Sequence, residues 1–292
     1  MSTGLGDVAA VAQRLAVLLA AGVAPASAWQ HIAASTGSPV AVRVAAGESL
    51  GAAAAGIPGL TGQGWRGLAA AVSVATESGS PLAPALREYA RSLRELGEGE
   101  RDARVALAGP AATARIVLAL PGVGILFGLA LGFNTLATLF TTPLGWVCLG
   151  AGGALLVTAA RWNRRLVAAA APSSATPGLA CELMAIGMAG GASLDRARRI
   201  VADALAAGGL DAEDVDGVLD LSRRAGVPAG ELLRAEARER RAEARATAQE
   251  RAAALGVRLM LPLGLCVLPA FLALGVVPLL ATVVTSTVVS VQ

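Results

Sequence analysis

The feature that most constrains this chain is a stretch of 45 residues without a charged side chain, Ile116–Ala160, flanked by Arg115 and Arg161. A single helix needs about 20 apolar residues to cross a bilayer. The stretch is therefore too long for one span and fits two spans joined by a short turn. The Asn, Thr and Pro residues between positions 134 and 143 predict that turn. The predicted spans are residues 116–136 and 144–160.

A second uncharged stretch begins at Leu259 and predicts a third span over residues 259–282. It contains Pro262, Pro269 and Pro278, where we expect kinks, because membrane helices tolerate proline when neighbouring groups satisfy the freed carbonyls. The composition agrees with a lipid environment. Only 15% of the residues are charged, whereas soluble domains carry about 25%.

The arginines predict the orientation of the spans, because basic residues near span ends favour the cytoplasmic side. Arginines cluster before the first span, after the second and before the third, whereas the 134–143 turn and the C-terminal tail carry no charge. We therefore expect the N-terminus inside and the hairpin tip and C-terminus outside. The first residues lack the features of a signal peptide, so the chain is predicted to begin in the cytoplasm.

The first span carries a series of glycines with four-residue spacing: Gly124, Gly128 and Gly132. Small residues at this spacing let membrane helices approach closely. Their partner is either another span of the same chain or a second copy. No ionisable residue falls near the centre of any predicted span, which counts against an ion-driven transporter.

Residues 1–115 and 161–258 have helical periodicity and resemble each other. Both contain the pattern Gly-x-Pro, four residues, Leu-Arg, two residues, Ala-Arg. The first copy consists of Gly79, Pro81, Leu86, Arg87, Ala90 and Arg91, and the second of Gly226, Pro228, Leu233, Arg234, Ala237 and Arg238. Upstream, the segment from Ala21-Gly22 to Ala28 parallels the segment from Gly190-Gly191 to Ala197.

The Gly-x-Pro pattern is typical of a helix–helix corner. Glycine ends one helix in the left-handed conformation, and proline starts the next with its φ angle preset. The corner either is purely structural or docks a partner. The two arginines of each copy are four residues apart and so share one face of the following helix. That face is either solvated or contacts an acidic partner or lipid headgroups.

These motifs and the order domain, hairpin, domain, span resemble the type II secretion system F-domain proteins, which are platform subunits of type II secretion, type IV pili and Tad/Flp pili. The segments beginning at Gly22 and Gly191 are similar to the helix start of that family. The resemblance implies two helical-bundle cytoplasmic domains that contact a hexameric secretion ATPase. It also implies a role in drawing pilin-like proteins out of the membrane. Size and Ala/Arg usage are closer to the Tad/Flp branch.

The chain lacks the residues that several kinds of functional site require. The Gly59–Gly64 run cannot be a Walker A loop because the chain has no lysine, and it is predicted to be a flexible loop. His31 is the only histidine, and the three cysteines have no metal-type spacing, so they are predicted to be packing residues. An acidic cluster is expected to form a solvated first helical turn and comprises Asp211, Glu213, Asp214, Asp216 and Asp220.

The sequence therefore predicts an all-α, polytopic membrane protein with two duplicated cytoplasmic helical-bundle domains and three transmembrane helices. The predicted regions are 1–115, 116–160, 161–258 and 259–292. We expect no enzymatic activity, cofactor or metal. The expected function is coupling of a cytoplasmic ATPase to pilin assembly or export at the bacterial inner membrane. The alternative is the membrane subunit of an ATPase-driven permease; an intramembrane enzyme is disfavoured because the spans contain no catalytic pair.

The expected partners are a secretion ATPase, a pilin or pseudopilin, a sister platform protein or a second copy, and the bilayer. Nucleic acid is excluded as a partner, because the net charge is only +3 and aromatic residues are only 3% of the chain.

Overall fold

The structure is a computed structural model that describes residues 4–130, 140, 142–170, 176–278 and 280. The described residues are helical and contain no strand, which confirms the all-α prediction. The chain forms two compact units. Unit 1 combines residues 1–101 with 172–247, and unit 2 combines residues 102–171 with 248–292.

The helices of unit 1 come from two separate parts of the sequence. The first part contains α1 (Leu5–Ala20), α2 (Pro25–Thr36), α3 (Pro39–Ala45), α4 (Leu50–Ala54), α5 (Gly59–Ser78) and the start of α6 (Leu82–Ala130). Unit 2 contains the end of α6 and α7 (Pro143–Ala170). The second part of unit 1 contains α8 (Leu179–Ala189), α9 (Leu194–Gly208), α10 (Asp216–Ala225) and the start of α11 (Ala229–Arg258).

The two repeated helix starts are present as predicted. Gly22 and Gly191 both have left-handed backbone, with φ of 83° and 80°. Helix α2 begins at Pro25 after the first glycine, and α9 begins at Leu194 after the second. In both copies, glycine reverses the chain because it adopts positive φ without a steric penalty.

The glycine-rich segment differs from its prediction. Gly59–Gly64, predicted to be a flexible loop, instead forms the first turns of α5. The glycines bring α5 close to its neighbours. Any side chain at Gly62 would collide with the Ile57 carbonyl oxygen, and one at Gly64 would meet the Leu5 side chain at 2.9 Å. Close packing thus outweighs the low helix propensity of glycine.

One hydrophobic core joins the two parts of unit 1. Helix α5 of the first part packs against α8 and α9 of the second part. Leu68 and Val74 of α5 and Leu183 and Met184 of α8 are almost completely buried in the same cluster. The predicted division into two duplicated domains stays a prediction; within the described residues, the two copies share a core.

The corner after α5 fits tightly against the turn between α8 and α9. The Ser80 hydroxyl donates a hydrogen bond to the Ile186 carbonyl oxygen. Gly190 lies so close to the Ser78 carbonyl oxygen that a Cβ atom at this position would collide with it. Ser78 and Ser80 of the first Gly-x-Pro corner are therefore buried against the second copy of the repeated turn, whereas Gly79 and Pro81 are exposed.

Unit 2 contains α7 and the apolar segment that follows α11. This segment consists of α12 (Met260–Pro262), a π-helical turn (Leu263–Val267), α13 (Leu268–Phe271) and a second π-helical turn (Leu272–Val276). Ala159 of α7 packs in one cluster with Cys266 and Val267. The helix departs from regular α geometry next to Pro262 and Pro269, in the region where the prolines predict irregularity.

Among the described residues, one helix is long and apolar enough to cross a membrane, and it covers Ala229–Val276. This helix includes the start of the third predicted span. Helix α7 covers the second predicted span, and α6 extends through residues 116–130 of the first. Residues 131–139 of the predicted hairpin lie outside the described residues. The first two spans therefore stay a prediction.

The close approach at Gly190 makes a direct prediction. Changing Gly190 to Ala should destabilise unit 1 by about 1–3 kcal/mol, because the new methyl group meets backbone that cannot move away cheaply. Gly51→Ala is the control, since a Cβ atom there has no neighbour within 4 Å. Urea unfolding of the full chain in detergent measures both changes. Equal stability of the two variants would contradict the close packing.

Candidate functional site

The two Gly-x-Pro corners have the same local structure. Gly79 and Gly226 end α5 and α10 with φ of 74° and 66°. Pro81 and Pro228 lie one residue before the first residue of α6 and α11, so each proline is the residue that precedes the helix rather than its first residue. The Pro228 carbonyl oxygen accepts a hydrogen bond from the Glu231 amide at 3.2 Å. The left-handed glycine is confirmed, and the proline is displaced by one position.

The helices after these corners have matching buried and exposed faces. Leu86 and Ala90 of α6 are fully buried, as are Leu233 and Ala237 of α11. The repeated Leu and Ala positions therefore anchor each helix in the core. The arginines that follow them, Arg87, Arg91, Arg234 and Arg238, lie at the solvent side of these two helices, with only Arg234 partly covered.

These arginines have little ionic compensation within the described residues. Arg91 has one weak ion pair, with its Nη1 atom 3.6 Å from Glu88 Oε2 on the same helix. For Arg87, Arg234 and Arg238, the described part of the chain provides no carboxylate within ion-pair distance. Their positive charge is therefore directed to solvent or to another molecule.

A buried ion pair connects α8 to α11. Arg241 Nη1 donates a hydrogen bond to Glu182 Oε2 at 3.0 Å, and both residues are only 3% exposed. The Ser92 hydroxyl of α6 donates to the same carboxylate oxygen at 2.7 Å. Glu95, also on α6, lies 3.4 Å from Arg241 Nε. This cluster of Ser92, Glu95, Glu182 and Arg241, hereafter the buried ionic cluster, ties α6, α8 and α11 together.

Burial raises the pKa of Glu182, while the Arg241 cation and the hydrogen bond from Ser92 act in the opposite direction. Because the folded-state pKa exceeds the ordinary value, the folded protein holds this proton more strongly than the unfolded chain. The contribution of Glu182 to stability therefore falls as the pH rises from the ordinary glutamate pKa through the raised one. Burial also raises the pKa of the neighbouring Tyr89, whose hydroxyl donates to the Gly64 carbonyl oxygen at 2.7 Å.

The adjacent residue, Arg240, holds the loop between α9 and α10. Its guanidinium group donates to Glu213 Oε2 at 3.2 Å, to the Asp214 carbonyl oxygen at 2.8 Å and to Glu236 Oε1 at 2.8 Å. Glu213 also accepts from the backbone amide of Gly178 at 2.9 Å. Burial raises the pKa of the nearby Cys181 to about 11, so this thiol stays protonated at neutral pH.

The acidic cluster is therefore only in part the solvated helix start that the sequence predicts. Asp216 begins α10, and Asp220 lies one turn further on. Glu213 and Asp214, however, belong to the preceding loop and hold it to α11 through Arg240. No group of three or more potential metal ligands occurs among the residues that the structure describes.

The remaining candidates have these positions. Gly124 and Gly128 lie within α6, whereas Gly132 lies outside the described residues, so the packing role of the glycine series stays a prediction. The three cysteines are buried and not disulfide-bonded, which confirms the packing interpretation. His31 is exposed on α2.

The buried ionic cluster was missed by the sequence analysis, although the sequence contains a signal. Glu182 is the only charged residue of α8, a helix of otherwise apolar residues. Arg241 continues the series Leu233, Ala237, four residues apart, which forms the buried face of α11. A charge on each of two apolar faces indicates a buried pair, since an unpaired buried charge is very costly.

These features define a class: in the described residues, a helical protein with a compact helical bundle and one helix that is long and apolar enough to cross a membrane. Residues 11–130 match the family model described as Type II secretion system (T2SS), protein F. The match covers less than half of the chain: residues 11–130 are similar to that family, in line with the resemblance noted in the sequence, and this similarity supports a membrane platform protein of secretion or pilus systems in general. Searches of the curated proteins and of the solved structures gave no match.

The buried ionic cluster makes the second prediction. Arg241→Leu should cost about 3–5 kcal/mol of unfolding free energy, because the Glu182 carboxylate loses its cation while remaining buried. Combining it with Glu182→Leu should restore most of this loss, because neither charge is then left unpaired. Arg238→Leu, at an exposed position of the same helix, should change the stability by less than about 0.5 kcal/mol.

Urea unfolding of these variants in detergent provides the measurement. Trp29 and Trp65 are buried in unit 1, so their fluorescence reports on this unit once Trp146 and Trp162 are replaced by Phe. If the double variant were as unstable as the sum of the two single variants, Glu182 and Arg241 would not be energetically coupled.

Proposed function

We propose that the chain is an inner-membrane platform subunit that couples a cytoplasmic secretion ATPase to the assembly of a pilus or to protein export, with the Tad/Flp pilus as the favoured system. The observation that carries this proposal is the match of residues 11–130 to protein F of type II secretion. The subunit acts as a mechanical scaffold and takes no part in chemistry itself. It spans the membrane three times, with its N-terminus inside and its C-terminus outside.

The course of the helices supports a mechanical role. Helix α6 begins at the Gly79 corner of unit 1 and ends in unit 2, and α11 begins at the Gly226 corner and also passes from unit 1 into unit 2. A long helix is stiff along its axis because every residue adds a hydrogen bond to its ladder. We propose that a displacement of the bundle is transmitted along both helices toward their apolar ends.

The buried ionic cluster supports the same role. Ser92 and Arg241 belong to these two helices, and both bond to Glu182 of α8. Directional, charge-assisted hydrogen bonds oppose sliding of one helix along another more than apolar contacts do. The two helices that leave the bundle are thereby held in a fixed register where they leave it.

The ATPase contact is proposed at the arginine faces. Arg87, Arg234 and Arg238 have no carboxylate partner within the described residues, so an acidic surface of the ATPase is a suitable partner. Residues of the apolar ends of α6, α7 and α11 are proposed to contact the pilin or pseudopilin within the bilayer. A sister platform protein or a second copy completes the platform.

The proposed ATPase contact is tested by reversing charges on α11. Changing Arg234 and Arg238 to Glu should leave membrane insertion intact and abolish pulldown of a co-expressed secretion ATPase from the same organism. Both side chains lie outside the core, so the bundle should still fold. Arg199→Glu, an exposed charge reversal on α9, is the matched control and should retain the ATPase. Normal ATPase binding by the double variant would show that this face is merely solvated.

The orientation is tested separately with fusions to alkaline phosphatase, which is active only outside the cytoplasm. A fusion after Gln292 should be active and a fusion after Arg165 inactive, because the arginines around the spans favour the cytoplasmic side. Activity of the second fusion and inactivity of the first would overturn both the topology and the proposed coupling to a cytoplasmic ATPase.

A further inference from the structure

The repeat provides an internal comparison between two equivalent surfaces. Aligning Gly22 with Gly191 makes α1–α2 equivalent to α8–α9. Aligning Gly79 with Gly226 makes α5 equivalent to α10. If the copies were used in the same way, the contact that α5 makes with α8–α9 would have a counterpart between α10 and α1–α2.

The first of these contacts is present within the chain. Helix α5 packs against α8 and α9, and Leu183, Ile186 and Ile200 of those two helices are buried. Val74 of α5, which is fully buried, reaches toward Gly187, where a Cβ atom would lie 3.6 Å from it. The Ser80 hydroxyl bonds to the Ile186 carbonyl oxygen at the same place.

The equivalent surface of the first copy is uncovered. A groove of about 600 Å³ lies along α1 and α2, and its walls include Val17, Leu18 and Ile32. Val17 is the counterpart of Ile186, yet it is 52% exposed where Ile186 is 6% exposed. The groove therefore occupies the place that α5 fills in the second copy.

The helix that would fill this groove by equivalence is also uncovered. Leu221 of α10 is the counterpart of Val74 and is 55% exposed, whereas Val74 is fully buried. Val227, the counterpart of Ser80, is 41% exposed. Within the described residues, α10 makes no extended contact with α1 or α2. The groove on α1 and α2 and the face of α10 that would fill it are thus both apolar and exposed.

We propose that α10 and the Val227 corner of one copy dock in the α1–α2 groove of a second copy of this chain. The contact repeats between molecules the packing that α5 makes within one molecule. The inference rests on the proposed platform function only for the presence of several copies in one membrane, and it does not depend on the ATPase.

The groove and α10 differ in the charges they carry. The groove is lined by Arg14 and His31 and by no acidic residue. Arg14 has no ion partner in the part of the chain that the structure describes. Helix α10 carries Asp216 and Asp220, but these pair with Arg198, Arg223 and Arg224, and two of those arginines lie in the last turn of the same helix. The charges of α10 are therefore balanced, and the docking is attributed to the apolar faces of the groove and the helix.

The proposed contact between molecules differs from the contact within the molecule at three equivalent positions. Gly190, which lets α8 approach the Ser78 backbone, is replaced by Ala21 in the first copy. The backbones therefore stay further apart, and larger side chains fill the gap: Leu221 replaces Val74, and Val227 replaces Ser80. Because the two surfaces lie on different parts of each chain, docking is head-to-tail and leaves a free groove and a free α10 at the ends of an open chain of subunits.

Cysteine cross-linking in membranes tests the proposal. Val17→Cys and Val227→Cys are placed on two differently tagged copies and co-expressed in a host that lacks the secretion ATPase and pilins. Oxidation should join the two tags in one disulfide-linked dimer. A single chain that carries both substitutions should give a ladder of higher species, because each molecule then has both halves of the contact.

Matched controls use exposed apolar positions away from the groove. Val42 of α3 is 50% exposed, so Val42→Cys paired with Val227→Cys should cross-link several-fold less. The unsubstituted chain shows any background from its own cysteines, which are buried. Leu221→Glu should remove the Val17–Val227 cross-link, whereas Val42→Glu should leave it unchanged.

Each outcome decides the proposal. Selective cross-linking of Val17 to Val227 that is lost with Leu221→Glu supports it. Cross-linking no stronger than with Val42, a cross-link only between identical positions, or capture of Val17→Cys by a different protein alone would overturn it. Because the host lacks the ATPase, a negative result here is independent of whether the arginine faces bind an ATPase.

Discussion

The packing of α5 against α8 and α9 makes one body out of two parts of the sequence that are far apart. Its driving force is the removal of apolar side chains from water, which contributes about 25 cal/mol for each Å² buried. Glycines bring the helices close enough for this packing to be tight, since Gly190 lies against the backbone of Ser78 and Gly67 lies against the Tyr89 hydroxyl. Without this contact, the cores of the two parts would each be open on one side.

The other elements of unit 1 take their positions from that contact. Helices α6 and α11 follow α5 and α10 through similar corners, and Leu86 and Leu233 seat each of them in the common core. The buried ionic cluster then sets their register. A buried pair of this kind contributes little net stability compared with apolar residues, and its value lies in the cost of any arrangement that separates the charges.

The sequence predicted those features that depend on local or one-dimensional patterns. The repeated helix starts at Gly22 and Gly191 and the corners at Gly79 and Gly226 follow from backbone conformations that only glycine adopts easily. The all-helical class follows from the spacing of apolar residues. The uncharged stretches predict spans by length, and one of the three coincides with the single apolar helix that meets the length criterion among the described residues.

The missed features depend on contacts between residues distant in sequence. Gly59–Gly64 has the composition of a loop, and only the close approach of α1 and α6 to α5 explains why it is helical. The pairing of Glu182 with Arg241 is a property of two helices, which neither helix shows alone. The sequence shows the repeat, but the spacing of its motifs cannot show that α5 of the first copy covers α8 and α9 of the second. Nor can it show that the equivalent groove on α1 and α2 stays open.

The interleaved order of the two units has a consequence for biosynthesis. Helix α5 is made before residues 102–171, and the helices that cover it are made after them. About 100 residues separate the end of α5 at Ser78 from the start of α8 at Leu179, so at about 5–20 residues per second the apolar face of α5 is exposed for roughly 5–20 s before its partner is made. During that interval the nascent chain exposes apolar surface that can aggregate, so a chaperone that binds α5 at this stage would protect it, and slower translation of the intervening residues would lengthen the exposure.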